Sequence, residues 1–272
     1  MLQKSAHMKI VVVTGSTRGI GYGLAQAFLE RDCKVVVSSR TQSSVEQAVE
    51  TLGAKFGRER VIGQMCEVTD YPQVKALWDA AKSHYGRVDL WVNNAAIGSP
   101  KESMWALPPE ILYAVVNTNL IGVMYCCKVA IEGMMSQDGG GHIYNMEGLG
   151  SQGELNKGSS PYGASKYGLA YLTKVLNAEL GDSPVKVSDI NPGLVVTDLL
   201  MESVTSVQNK DIFNIFADKV ETVTPWLVER MLANDRRGAR YAWLTRSKIV
   251  TRLLTSRFRK RDVFSDSEIQ QA

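Results

Sequence analysis

Histidine, cysteine and proline are all scarce in this 272-residue chain, with three, four and eight copies. Cys33, Cys66, Cys126 and Cys127 never fall in a CxxC spacing, and His7, His84 and His142 are scattered rather than paired at i, i+4. Neither a disulfide framework nor a zinc site follows from that inventory, so reduced thiols and no metal are expected. No apolar run approaches the ~18–20 residues that span a bilayer. The opening MLQKSAHMKI also lacks the apolar centre of a secretory signal. A soluble, intracellular protein is therefore expected. No repeat, low-complexity tract or Pro/Gly linker divides the sequence, which predicts one domain over 1–272, with a flexible start at 1–8 and a basic extension at 236–272.

What is present is an ordinary globular composition, 44% hydrophobic and 22% charged, which excludes wholesale disorder. The net charge of +3 is unevenly spread. Arg236–Ala272 holds ten basic and three acidic residues, leaving 21 basic against 25 acidic elsewhere. An acidic body with a basic tail that carries no recognition motif speaks against a nucleic-acid partner.

Apolar runs alternate with helical-period segments through most of the chain. Strands are expected at Lys9–Thr14, Cys33–Ser39, Arg60–Val68, Val88–Asn94, Gly141–Met146, Val185–Pro192 and Arg240–Leu244. Helices are expected near Ile20–Arg31, Ser43–Phe56, Pro72–Tyr85, Pro109–Met135, Pro161–Leu180 and Pro225–Asn234. Proline near a first turn suits several of these starts, because its missing N–H has no partner there anyway. The alternation predicts an α/β fold, a doubly wound parallel sheet of about seven strands with helices on both faces. Ala95–Leu107, Glu147–Ser159 and Leu194–Asp211 show no clear period, and loops of that length tend to carry function.

Between the first strand and its helix stands Gly15-Ser16-Thr17-Arg18-Gly19-Ile20-Gly21. A strand that turns through glycines into a helix lets backbone N–H groups and the helix dipole meet a pyrophosphate, the Rossmann-type arrangement. The alternative is a glycine-rich turn that binds nothing. At the end of the second strand, where a carboxylate would bind an NAD ribose, stand Ser39 and Arg40. Arg40 and Arg18 both suit a 2′-phosphate, which favours NADPH; otherwise Arg40 is a solvated strand end.

Tyr162 and Lys166 are four apart near the start of a predicted helix, so phenol and ammonium share a face. A nearby cation lowers a phenol pKa from its usual ~10 and suits it to proton transfer. Alone the spacing is weak evidence.

In order, TGSTRGIG, CEV, NNAA, TNLIG, GHIYN, YGASK and NPGLVVT make the chain resemble the short-chain dehydrogenase/reductase family over about Lys9 to Leu200. The resemblance implies Tyr162 as general acid/base, Lys166 as its pKa-lowering partner and ribose ligand, and Asn119 as keeper of a relay water. It further implies a cofactor lined by Glu67, Val68, Asn93, Ala95, Pro192, Gly193 and Thr197, and a homodimer or homotetramer. Glu67 and Ala96 depart mildly from the family's pattern. The family's catalytic serine is missing from its usual place, which here is Glu147 or Gly148, and Ser151 is the first hydroxyl after it.

GGGHIYNMEGLGSQG, VMYCCKVAI and NPGLVVTDLLM resemble the chlorophyll b reductases within that family. This implies NADPH-dependent reduction of a ring formyl to hydroxymethyl on chlorophyll(ide) b, with Ser151 as carbonyl hydrogen-bond donor, in a cytoplasmic or plastid-stromal setting. Ser151 as a bare loop hydroxyl is the other reading. Leu199, Leu200, Met201, Ile212, Phe213, Ile215 and Phe216 would form an apolar lid, or else ordinary helix packing; Met104 and Trp105 carry the same ambiguity. Leu253, Leu254 and Phe258 among Arg252, Arg257 and Arg259 would suit an anionic membrane surface, or a solvated or oligomer-contacting helix. A general carbonyl or 3-oxoacyl thioester reductase and a non-catalytic NADPH-binding protein are the competing functions.

Overall fold

Seven short, apolar segments line up side by side in the computed structural model, which describes residues 8–201, 213–256, 261 and 263. They are β1 (Ile10–Val13), β2 (Lys34–Ser39), β3 (Val61–Met65), β4 (Leu90–Asn93), β5 (Gly141–Met146), β6 (Val185–Asn191) and β7 (Arg240–Ala242). All pairings are parallel, in the order β3-β2-β1-β4-β5-β6-β7. This is a Rossmann-type doubly wound sheet.

Successive side chains of a strand point to opposite faces. Val11 and Val13 accordingly join one apolar layer and Val12 the other. The first layer is closed by α1 (Gly19–Leu29), α2 (Gln42–Phe56) and α8 (Val220–Ala233), through Leu24, Phe28, Val45, Leu52, Leu227 and Met231. The second is closed by α3 (Tyr71–Tyr85), α5 (Gly122–Met135) and α6 (Ser160–Leu180), through Leu77, Trp78, Cys126, Ala130, Met134 and Leu169. All four cysteines are buried free thiols, as the composition predicts. Among the described residues no group of His, Cys, Asp or Glu could hold a metal ion.

Two expectations need correction. Pro225 lies inside α8 rather than near its first turn, because the helix begins at Val220. Val220 and Thr224 pack on Gly23 of α1, where a Cβ would collide with them, so a tertiary contact extends the helix upstream of its proline. Further, α4 (Pro109–Val116), a π-helical segment Asn117–Ile121 and α5 form one helical run, Pro109–Met135, that is long and apolar enough to cross a membrane. The helix is the one expected over Pro109–Met135; what the sequence reading missed is that its mean hydropathy suffices to span a bilayer, because Asn117, Thr118 and Asn119 break it into shorter apolar runs. In the fold its apolar side, with Val123, Cys126 and Ala130, packs against the sheet.

The strand order reverses between β1 and β4, and in open α/β sheets ligands bind outside the carboxyl ends of strands at that switch point. The loops leaving β1 and β4 meet there.

The C-terminal helix α9 (Arg246–Thr255) departs from the expectation for the tail. Arg252 donates to both carboxylate oxygens of Asp218 (3.0 and 2.7 Å), and Arg261 donates to Oδ1 of the same residue (2.7 Å). These two guanidinium groups are engaged within the fold. Val250, Leu253 and Leu254 remain exposed. Arg257, Phe258 and Arg259 lie outside the described residues, as does Ile212. Phe213 packs with Leu200 and Met201 of the short helix α7 (Asp198–Met201) around Ala217 and Val263, as ordinary packing rather than an open apolar surface.

Candidate active site

The glycine loop after β1 is shaped by contacts that leave no room for side chains. Gly15 and Gly19 have φ of 62° and 54°, left-handed values that glycine adopts readily. A Cβ on Gly15 would lie 2.9 Å from the Cα of Ala95, and one on Gly21 would overlap the Gly15 carbonyl oxygen. The loop is bolted to the end of β4. Thr14 Oγ1 accepts from the backbone N–H of Asn94 (3.0 Å) and Ala95 (3.1 Å), and Asn94 Nδ2 donates to the carbonyls of Thr14 (2.9 Å) and Gly15 (3.0 Å). Ser16 is buried, its hydroxyl donating to Val13 O (2.7 Å) and accepting from Ser38 N (2.9 Å), so it ties β1 to β2. Thr17 and Arg18 line a shallow groove with Tyr22, Ser44, Gln47 and Thr51 of the two flanking helices. Ile20 packs into the core layer beneath.

Of the two cations expected to face a phosphate, Arg40 is exposed at the end of β2 beside half-buried Ser39. Arg18 is exposed too, but its guanidinium meets the carboxylate of Asp198 (3.1 Å). Thr197 places its methyl 3.3 Å from where a Gly19 Cβ would be, so the loop after β6 closes on the glycine loop. In that loop Gly193 (φ 71°) donates its N–H to Asn191 Oδ1 (2.9 Å), and Pro192 is buried. Val68 packs on Gly122, and Glu67 accepts from Thr69 N (3.3 Å), serving the turn into α3.

The side chain of Asn93, expected to line the cofactor, points into the core instead. It accepts from Trp91 Nε1 (2.7 Å) and donates to Asn145 Oδ1 (2.8 Å) and Cys127 Sγ (3.3 Å), so both amide N–H groups are engaged within the core. The network continues through Asn145 to Thr173 and on to Asp189, whose carboxyl burial pushes up to about 7. The next residue, Asn94, does the work at the loop; the doubled Asn in NNAA was the available signal.

On the other side of the switch point, α6 brings Tyr162 and Lys166 against the end of β5. Lys166 is buried and donates from Nζ to Met146 O (2.9 Å). Its Nζ lies 5.7 Å from the centre of the Tyr162 ring. Burial pulls the Lys166 pKa down to about 8, opposed by the nearby negative charge of Glu147. Tyr162 behaves contrary to expectation: burial pushes its phenol up to about 12. The ammonium is turned toward the Met146 carbonyl instead of the phenol oxygen, so desolvation outweighs attraction. Asn119, in the π-helical segment, is fully buried. It exchanges two hydrogen bonds with the backbone of Ile97 (both 2.9 Å) and approaches Ser165 Oγ (3.4 Å), fixing the loop after β4.

Neither position where a catalytic serine is usual carries a free polar group. Glu147 is buried and its carboxylate is held by Arg240, Asn191 and Gln152. At Gly148 a Cβ would overlap the Tyr162 hydroxyl, so the phenol occupies the space a side chain would need. Ser151 is buried in a turn, donating to Gly148 O (2.7 Å) and accepting from Gly148 N (2.9 Å). In the segments that follow β4, β5 and β6, Trp105 is 88% and Leu155 99% exposed, with Met104, Leu149 and Leu199 also exposed.

The profile described as short chain dehydrogenase matches residues 9–208. The chain belongs to the short chain dehydrogenase family. Members of this family use a nicotinamide cofactor, bind small-molecule substrates and typically form oligomers. Among curated relatives, the chlorophyll(ide) b reductase NOL of Oryza sativa is 42% identical over 82% of this chain and 66% of its own length. The probable chlorophyll(ide) b reductase NYC1 of Arabidopsis thaliana is 34% identical over 94% of this chain and 54% of its own. Both are named chloroplastic. The chain thus spans between half and two thirds of these relatives. The 3-ketoacyl-(acyl-carrier-protein) reductase of Brucella melitensis, solved with NADH, superposes with a TM-score of 0.76 at 24% identity, covering 86% of this chain and 96% of that one. At that identity the likeness speaks for the fold alone.

Proposed function

We propose that this chain is an NADPH-dependent reductase of the formyl group of chlorophyll b or chlorophyllide b. The observation that carries the reading is the meeting of Tyr162 and Lys166 with the end of β5 at Gly148, within the segment that resembles chlorophyll b reductases. The 42% identity to a relative of that name supports the substrate class, and its chloroplastic naming supports a plastid setting.

The glycine loop fits the family's cofactor, because a Cβ at Gly15 or Gly21 would fill the cradle that backbone approach requires. Arg40 and Arg18 would hold the 2′-phosphate, the latter by exchanging Asp198 for it. Ser16, Thr17, Gly19 and Ile20 would present backbone to the pyrophosphate, with Ala95, Val68, Pro192, Gly193 and Thr197 enclosing the rest. When bound, the dihydronicotinamide supplies hydride. Tyr162 donates its phenolic proton to the carbonyl oxygen; a pKa pushed up to about 12 keeps that proton in place at neutral pH. Once the proton leaves, the Lys166 ammonium stabilises the phenolate. Ser151 hydrogen-bonds the substrate oxygen by giving up its bond to Gly148 O. Trp105, Leu155 and Leu199 offer an apolar rim to a large flat ring. The exposed Val250, Leu253 and Leu254 of α9 offer a peripheral membrane contact, and a homodimer or homotetramer follows the family habit.

Anaerobic incubation with NADPH and chlorophyllide b, followed by absorbance and mass, tests this directly. A gain of two hydrogens at the formyl group is expected; smaller aldehydes or acyl thioesters turning over in its place would transfer the reading to a general reductase. Arg40→Ala should raise the KM for NADPH about tenfold and leave that for NADH within about twofold, since a charge-assisted hydrogen bond contributes about 1.5–3 kcal/mol. Equal effects in a kinetic comparison would remove Arg40 from the 2′-phosphate.

A further inference from the structure

Three consecutive residues at the end of β5 each do something different for the proton-transfer pair. Met146 gives its carbonyl to Lys166 Nζ (2.9 Å). Gly148 forms the surface against which the Tyr162 hydroxyl lies. Between them Glu147 turns away, its side chain fully buried, and its carboxylate receives donors from three other elements. Arg240 of β7 donates from Nε to both oxygens (2.9 Å each), with a second guanidinium nitrogen 2.7 Å from Oε2. Asn191 of β6 donates to Oε2 (3.0 Å), and Gln152, just past Ser151, donates to Oε1 (2.9 Å). The backbone N–H of Glu147 also bonds to Ile190 O (2.8 Å). One buried carboxylate thus joins three strand ends and closes the turn that carries Ser151.

We infer that Glu147, pinned by Arg240, is a positioning residue for this proton-transfer pair: it fixes the strand end on which Lys166 and Tyr162 rest and places a buried carboxylate one residue beyond the carbonyl that holds Lys166. The inference rests on the proposed reductase reading for its catalytic consequence, though not for its electrostatic one. A buried ion pair held by further hydrogen bonds keeps its geometry tightly, because leaving either charge unpaired inside the protein is strongly unfavourable. The groups around Lys166 agree with this assignment. Glu147, just past β5, acts on it through space and Tyr162 lies beside it on its own helix, while Arg240 of β7 and Asp189 of β6 are the charged groups that interact with Glu147. Burial disfavours the ammonium and Glu147 favours it, so removing the carboxylate charge should release the Lys166 proton at lower pH.

The test uses the full chain with Glu147→Gln, and with Glu147→Gln/Arg240→Gln, which leaves no charge unpaired if the single variant folds poorly. The Lys166 Nζ resonance of 15N-lysine-labelled protein, assigned through Lys166→Met, is followed against pH in parallel with kcat. The expected result is a Lys166 midpoint lowered by about half a unit or more in both variants. The alkaline limb of kcat should move the same way, kcat at pH 7 should fall tenfold or more, and the KM for NADPH should stay within twofold. Glu147→Asp should restore the midpoint because it keeps the charge. Asp189→Asn serves as the control for the other carboxyl that titrates nearby. An unmoved Lys166 midpoint in a folded variant, with kcat lowered equally at every pH, would overturn the inference and leave Glu147 a structural tie. A wild-type protein that reduces no carbonyl would instead overturn the reductase reading, with the Lys166 titration still deciding the role of Glu147.

Discussion

Tyr162→Phe should lower kcat for carbonyl reduction by about a thousandfold while leaving the Kd for NADPH within twofold. The substitution removes one oxygen from a ring whose packing against β5 and Lys166 is otherwise kept. A positioned general acid contributes typically 10²–10⁴-fold, and the neighbouring polar groups among the described residues are already engaged. Glu147 is tied to Arg240, and Lys166 donates to Met146 O. Ser151 is engaged with Gly148 at both its donor and its acceptor. Stopped-flow reduction and fluorescence binding would separate the two quantities. Turnover retained with weakened binding would take the acid role away from Tyr162.

Gly148→Ser should abolish activity rather than restore the hydroxyl that the family usually has near this place. A Cβ at 148 would overlap the Tyr162 hydroxyl, so the phenol must swing aside before any serine oxygen can be used. Misplacing a reacting group by about 1 Å can cost 10²-fold, and here the displaced group is the proton donor itself. The turn would also lose its fit, because Ser151 bonds both the N–H and the carbonyl of Gly148. A kcat reduced at least a hundredfold, with NADPH affinity nearly unchanged, is the outcome expected from steady-state kinetics. An active Gly148→Ser protein would mean that the phenol has room to move and that Ser151 is dispensable.

Much of this arrangement is legible in the sequence alone. Val11, Val12 and Val13 read as a strand because a parallel strand covered on both faces is continuously apolar, and they do divide between the two core layers. Gly15, Gly19 and Gly21 announced the loop, since the backbone geometry they allow is a local property. Tyr162 and Lys166 shared a face by helical period alone. The environment of the same residues was not legible. A cation four residues away suggested a lowered phenol pKa, yet burial by loops distant in sequence dominates. Asn93 and Asn94 look equivalent in the sequence, and only strand alternation sends the first into the core and the second to the glycine loop. Arg252 read as part of a basic surface until Asp218 came beside it.

The sequence by itself determined the parallel sheet, the glycine turn after β1 and the order of the chemical groups along the chain, because periodicity, glycine backbone freedom and helix spacing act over a few residues. Only the tertiary structure decided that Glu147 meets Arg240 across 93 residues, that Gly148 leaves room for a phenol, and that Arg18 meets Asp198. Those pairings depend on which strand ends become neighbours. That is fixed when the whole sheet buries its two apolar faces at once, and no local pattern encodes it.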